Sequence, residues 1–199
     1  MTTGTMRTGA ATGAAGEDTR SRLLATALRL FTEHGAEGTS LQMIADALGV
    51  TKAAVYYHFK TKDEITEAVA EPGLRELAAV VEEAATFRRR GARIDHLLTG
   101  FVDIVVRHRA LVALFSSDPG VARAIEKTLH GEERFEKRLI ALLAGPEPDT
   151  STLVAAHVAL AGIALAGGAP ALADLDDESL REALLAVGRR LMGRPRPRA

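Results

Sequence analysis

Residues Thr39 to Lys62 read TSLQMIADALGVTKAAVYYHFKTK, and this stretch decides the fold. Leu41, Ile44, Ala45 and Leu48 recur at helical spacing, which gives a short helix one apolar face. Thr39 is expected to cap it, with Gln42 three residues on completing a capping box. Gly49 ends the helix, because a residue without Cβ takes the left-handed conformation at no steric cost. Val50 turns back to the core, and the Thr51 hydroxyl caps the next helix. That helix, 52–59, is anchored by Val55 and Phe59 four residues apart. Lys52, Ala53, Ala54, Tyr56, Tyr57 and His58 are left to cover its remaining surface.

Such a helix suits a DNA major groove. Two alanines permit close approach and offer methyls to thymine, and Lys52 reaches toward guanine acceptors. Tyr56, Tyr57, His58 and Lys62 carry donors for phosphate oxygens. The plainer alternative is a helical hairpin packed inside a bundle. A cap, a turn glycine and exposed donors in one stretch favour the DNA-reading hairpin.

The totals narrow the rest. With 199 residues the chain makes one large or two small domains. A net charge of −1 means that any DNA binding arises from local clustering of cations. No cysteine is present, which removes disulfides, thiolate metal sites and cysteine nucleophiles and fits a reducing, cytoplasmic compartment. Hydrophobic residues make up 47% and aromatics only 4%, a composition that favours helix over sheet. The fold class is therefore all-α.

Upstream, residues 1–17 are rich in Thr, Gly and Ala without a continuous apolar run. They read as a disordered leader and not a secretory signal. A first helix runs from Thr19 to His34 with Leu23, Leu24, Ala27, Leu28, Leu30 and Phe31 inward, and Gly35 ends it. Arg20 and Arg22 then fall in its first turn, against the helix dipole.

A helix ending in LFTEHG, followed by TSLQMIADALGVTKAAVYYHFKTKDEI, resembles the DNA-binding domain of the TetR family of transcriptional regulators over roughly Asp18 to Val69. The IADALGV turn and the VYYHF-xx-K run carry the likeness. The resemblance implies that Thr51, Lys52, Ala53, Ala54, Tyr56, Tyr57 and His58 form the recognition helix. It also implies that Gln42 contacts a base or phosphate and that Lys62 clamps the DNA backbone. Thr51-Lys52-Ala53 departs from the Ser-x-Gly or Ser-x-Pro of many members, so no operator sequence carries over.

A fourth helix starts at Asp63. Pro72 is expected to kink or break it near Ala70, as a hinge or as a static bend. Arg88, Arg89, Arg90 and Arg93 read as a solvated basic connector. Residues 94–107 are apolar almost all round and so belong in the middle of a bundle. Their polar stripe, His96, Thr99, Asp103 and Arg107, is expected to be a solvent seam with an Asp103–Arg107 pair; the alternative is the wall of a cavity. A short helix covers 110–115, and Asp118-Pro119 restarts another through Val121, Ile125 and Leu129. Helix resumes from Phe135 to Leu143 and stops at Gly145-Pro146.

No charge occurs from Thr150 to Ala173. The run is long enough to span a bilayer, but His157, Gly167-Gly168, Pro170 and the lack of flanking aromatics argue for a soluble helix and no membrane. Ala155, Ala159, Gly162 and Ala166 are expected to form a flat stripe on it. Leu180, Leu184, Val187 and Leu191 of a last helix, 177–192, supply the matching stripe. The two helices with their symmetry copies would make a four-helix homodimer interface, where the resemblance also puts one.

No hydrolase elbow, phosphate-binding loop or zinc-spaced histidine pair occurs, so no enzyme, metal or cofactor is expected. The domains follow: leader 1–17, DNA-binding head 18–70, ligand-binding and dimerisation body 71–193, basic tail 194–199. The expected function is a homodimeric, ligand-responsive regulator, a repressor released from a palindromic double-stranded operator by a small molecule. Phe87, Phe101, Val105 and Phe115 are the candidate lining for that unidentified effector. The competing reading is a helical scaffold protein with a vestigial helix-turn-helix.

Overall fold

The computed structural model describes residues 11–123 and 133–193, which are helical apart from turns. The elements are α1 (Ala11–Gly38), α2 (Leu41–Leu48), α3 (Lys52–His58), α4 (Lys62–Ala84), α5 (Arg90–Arg107), α6 (Arg109–Ser117), α7 (Glu133–Ala144), α8 (Thr150–Gly167) and α9 (Asp177–Leu191). A short helical run at 119–123 follows Asp118, whose Oδ1 accepts from the amides of Gly120 (2.8 Å) and Val121 (3.2 Å). Ile125, Leu129 and the tail 194–199 lie outside the described residues. The chain divides into two compact units, Met1–Val69 and Ala70–Ala199.

In the first unit α1 begins at Ala11, inside the stretch expected to be a disordered leader. Alanine, the best helix former, outweighs the two glycines there. Arg20 and Arg22 therefore sit mid-helix, clear of the amide dipole, and the Arg20 guanidinium lies 5.2 Å from the centroid of the Phe59 ring. The helix breaks where expected: Gly35 adopts φ 74°, ψ 160°, a conformation open essentially to glycine alone. Leu23, Ala27, Leu30 and Phe31 are buried along α1, as are Ile44 and Ala45 of α2, Val55 of α3 and Phe59. α2 packs against both α1 and α3.

In the second unit α5 is the axis, as its all-round apolarity predicts. Leu97, Leu98, Val102 and Val105 belong to one buried cluster with Leu139 and Leu143 of α7, Ala156, Ala159 and Ile163 of α8, and Leu180, Leu184 and Leu185 of α9. Each fully buried aliphatic side chain is worth about 1.5–3 kcal/mol relative to exposure, so this cluster dominates the unit's stability.

Three expectations are corrected here. Of the kink or break expected in α4, the break does not occur: the helix is continuous through Pro72 and Gly73. Asp103 pairs with Arg181 at 2.6 Å and not with Arg107, which instead meets Glu76. Spacing of four along one helix permits a pair, but the partners on neighbouring helices lie closer. The connector arginines are not merely solvated: Arg93 Nε donates to Leu142 O (2.9 Å) and Arg90 to Leu143 O (3.4 Å). They cap the C-terminal carbonyls of α7, where cations are favoured.

Among the described residues α8 alone is long and apolar enough to cross a membrane, with mean hydropathy 1.6. One side of it packs on α5, α6, α7 and α9. The rest is an outward apolar face: Val154 is 53% exposed, Val158 49% and Leu165 57%.

Candidate DNA-reading surface

The α2 cap lies one residue later than expected. Ser40 is extended (φ −108°, ψ 157°), and its hydroxyl accepts from the Met43 amide at 3.1 Å. Thr39 is buried instead, its hydroxyl donating to Gly35 O (2.8 Å) and approaching Leu30 O (3.2 Å). With the cap moved, Gln42 is free of the box, and its amide donates to Asp46 Oδ1 at 2.7 Å. Both residues are exposed on α2.

Gly49 takes φ 69°, ψ 30°, and the Val50 amide reaches back to Ala45 O at 3.0 Å. The six-to-one bond closes the turn tightly and sends the chain directly into α3. Thr51 caps α3 as expected, its Oγ1 accepting from the Ala54 amide at 3.2 Å. Val55 and Phe59 are the inward anchors, at 0% and 4% exposure.

The outward face of α3 is thereby fixed. Thr51, Lys52, Ala53, Tyr56 and Tyr57 are exposed, and Ala54 and His58 are partly so. Tyr57, at 80%, projects furthest. Tyr57 and His58 meet edge to face with centroids 5.2 Å apart. The Lys52 ammonium hangs 5.6 Å from the centroid of the Tyr56 ring. These mutual contacts restrict long side chains before any partner arrives, which lowers the entropy lost on binding.

Two features of the exit from α3 escaped the sequence reading. Lys60 Nζ donates to Tyr56 O and stops α3. Thr61 Oγ1 accepts from the Glu64 amide (3.1 Å) while Glu64 accepts from the Lys60 amide (2.7 Å), a variant capping box that starts α4. The T-x-x-E signal for it stands in the sequence at 61–64. Lys62, expected to face DNA phosphate, is partly buried and donates to Ala36 O (2.7 Å) and Glu37 O (3.3 Å).

In the second unit the expected effector residues are spread along the bundle. Phe87 lies against His96, ring centroids 5.1 Å apart. Phe101 packs on the central cluster, Val105 is inside it at 2% exposure, and Phe115 is partly buried on α6. A groove among the described residues lies elsewhere, lined by Lys137, Ile140, Ala141, Gly145, Pro146, Pro148 and His157.

The expected dimer stripe is divided. Ala159, Leu180 and Leu184 are buried within the protomer's own core, so none is open to a partner. Ala155 and Ala166 are half-buried, whereas Gly162, Val187 and Leu191 face outward. The sequence reading took the small-residue side of α8 as the outer one. The aliphatic side, Val154, Val158, Ala161 and Leu165 at spacings of four, three and four, is the exposed one.

An all-α head with a capped, glycine-closed helix-turn-helix and an exposed second helix has the fold of a helix-turn-helix domain. Residues 23–69 match the family described as bacterial regulatory proteins, tetR family. That stretch of the chain is thus similar to the DNA-binding domain of the TetR family. The HTH-type transcriptional regulator AcrR of Shigella flexneri is 46% identical over 55 residues, 28% of this chain and 26% of that protein. A probable acrEF/envCD operon repressor of Escherichia coli K12 is 43% identical over 61 residues, 30% of this chain and 28% of that one. The chain thus spans about a quarter of the length of these curated relatives. A TetR/AcrR-family regulator from Thermobifida fusca aligns over 90% of this chain and all of its own, at 26% identity and TM-score 0.56. PfmR from Thermus thermophilus, also a TetR-family regulator, aligns over 88% of this chain and all of its own (TM-score 0.67); at 23% identity it speaks for the fold.

Proposed function

We propose that the chain is a homodimeric, cytoplasmic transcriptional repressor that holds a palindromic operator and releases it when a small molecule binds the helical body. The observation that carries this reading is the outward face of α3. Its anchors are buried, its N-terminus is capped, and its alanines, lysine and aromatic donors are presented together. Gln42, Thr51, Lys52, Ala53, Ala54, Tyr56, Tyr57 and His58 are the proposed contacts. One α3 covers only a few base pairs, so specificity requires a second copy. Half-sites in successive major grooves of one duplex face lie about 34–36 Å apart.

The outward aliphatic face of α8, with Val187 and Leu191 of α9, supports the homodimer. Contiguous apolar surface of this kind marks an interaction site. Repression is supported by the relatives named as repressors, of whose own lengths this chain covers 28% and 39%. An effector acts by binding one arrangement of the dimer better than the other, and a difference of a few kcal/mol suffices. Phe87, Phe101 and Phe115, partly buried, make an apolar effector the fitting class, whereas Val105 is committed to the protomer's own core.

Selection of bound duplexes from a random pool by the full chain, followed by mapping on the source genome, tests the reading. Enrichment of an inverted repeat is expected. Retention of no sequence above background would leave a helical protein with an inert head.

A further inference from the structure

We propose that Asp46 is a positioning residue for base reading: it sets the Gln42 amide so that Gln42 selects adenine. This rests on the reading of the head as a DNA-binding domain with Gln42 among its contacts. Gln42 and Asp46 stand one turn apart on α2, both exposed, while Leu41, Ile44 and Ala45 are turned into the core. Gln42 Nε2 donates to Asp46 Oδ1 at 2.7 Å. A carboxylate accepts and does not donate, so the amide must turn its nitrogen, and not its oxygen, toward Asp46. The flip that would interchange oxygen and nitrogen is thereby suppressed. What remains for a partner is the carbonyl oxygen and one N–H. That couple matches adenine, whose major-groove edge sets the N6 donor beside the N7 acceptor. Guanine offers acceptors at both N7 and O6 and would call on both N–H groups, one of which is already committed.

The placing of the acid supports this role. Asp46 lies in the last turn of α2, where the partial negative charge of the helix end opposes a carboxylate. It shares the side of Gln42, so on the proposed complex phosphate oxygens oppose it as well. Among the described residues its carboxylate meets no cation, and the Gln42 amide is its side-chain partner. A glutamine–aspartate pair at i, i+4 adds little to the stability of a helix, so the consequence of the bond is orientation. An exposed glutamine otherwise samples several rotamers and both amide settings. Fixing it beforehand lowers the entropy lost on binding and leaves one pattern of donor and acceptor to be read.

The test uses the full chain, a duplex selected by the wild type and the set of its single-base-pair variants, titrated by fluorescence anisotropy at one salt concentration. The readout is preference, the ratio of affinities for the selected site and each variant. Loss of a charge changes affinity for all duplexes alike and cancels in that ratio. Gln42→Ala is expected to abolish an adenine preference of about tenfold at one base pair of each half-site. Asp46→Ala should cut the preference at that same pair to about threefold or less and leave the other pairs unchanged. It should melt at or above the wild-type temperature, because alanine is the better helix former at an exposed position. The double variant should match Gln42→Ala alone, since Asp46 acts through that amide. Asp46→Asn keeps an acceptor without the charge and should retain more of the preference than Asp46→Ala. Full preference in Asp46→Ala, additive losses in the double variant, or equal losses in Asp46→Ala and Asp46→Asn would overturn the proposal. So would guanine at the Gln42-dependent pair, or a selected site in which no pair depends on Gln42. A wild-type chain that selects no duplex would instead remove the DNA-binding reading itself, and this role with it.

Discussion

Gly168 lies directly against the backbone of Ala113: a Cβ built on Gly168 would stand 2.5 Å from the Ala113 amide nitrogen and 2.7 Å from its Cα. The contact joins the end of α8 to the middle of α6. Its neighbours are main-chain atoms, which cannot swing aside as a flexible side chain would. Gly168→Ala should therefore destabilise the second unit by about 1–3 kcal/mol, the usual cost of overpacking a well-filled site. Thermal unfolding followed by circular dichroism measures it. The natural control is Gly162→Ala on the same helix, where an added Cβ meets nothing within 4 Å. Equal melting temperatures for the two variants would refute the close-packing account.

Leu165 and Val158 are half-exposed aliphatics on a face otherwise without charge. If a second copy covers that face, Leu165→Asp buries an unpaired carboxylate at the interface and should convert dimer to monomer at micromolar concentration. Its effect on the protomer's fold should be small, because the side chain touches solvent there. Ala159→Asp provides the contrast, since Ala159 is inside the protomer and a carboxylate would disrupt the fold itself. Sedimentation velocity separates the two outcomes. An unaltered dimer for Leu165→Asp would exclude this face.

The difference between α8 as expected and as found shows where the sequence was readable. The helix and its ends were legible, because Gly145-Pro146 before it and Gly167-Gly168 after it are strong breaking signals and no charge interrupts the run. Its facing was not. From Leu153 onward every position but His157 is small or aliphatic, so composition offers no continuous polar side to mark the solvent. Gly100 posed the same problem from the inside: a Cβ there would meet both Val80 methyl carbons at 2.6 Å, a constraint set by a residue twenty positions earlier. The head was legible nearly residue by residue because its signals are local. Gly49 and Thr51 act through bonds within five residues, and Val55 and Phe59 are read from their spacing of four. What escaped was non-local: Lys62 binding the end of α1, and Asp103 choosing Arg181, 78 residues away, over Arg107, four away.

Lys52 and Tyr57 separate two kinds of contact. Tyr57 is 80% exposed and its hydroxyl sustains nothing in the head, so Tyr57→Phe should leave the melting temperature unchanged. If the hydroxyl donates to phosphate, operator affinity should fall by about 0.5–1.5 kcal/mol, similarly for all sequences. Lys52→Ala should cost about 1–3 kcal/mol and relax the preference at one base pair if it reads guanine. A uniform loss with a shallower salt slope would assign it to the backbone instead. Anisotropy titrations against the selected site and single-base variants distinguish these outcomes. Wild-type affinity in both variants would remove α3 from the interface.

Asp176 accepts from the Ser179 amide at 2.9 Å and from the Ser179 hydroxyl at 2.7 Å, and Asp149 accepts from the Thr152 amide at 2.6 Å. Backbone hydrogen bonds to Ser179 and to Thr152, followed by their side chains, hold both carboxyls below the ordinary value of 3.8. The sign follows from the direction of the shift. A depressed native value means that the unfolded chain binds the proton more readily. The caps therefore stabilise α9 and α8 fully above the ordinary value, and that contribution is lost as pH falls through the depressed native one. Asparagine caps about as well as aspartate but does not titrate. The double variant Asp149→Asn, Asp176→Asn should melt close to the wild type at about pH 7. Below the ordinary carboxyl range its melting temperature should fall less steeply than the wild type's. Parallel acid limbs for the two proteins would show that the caps do not contribute to the pH dependence.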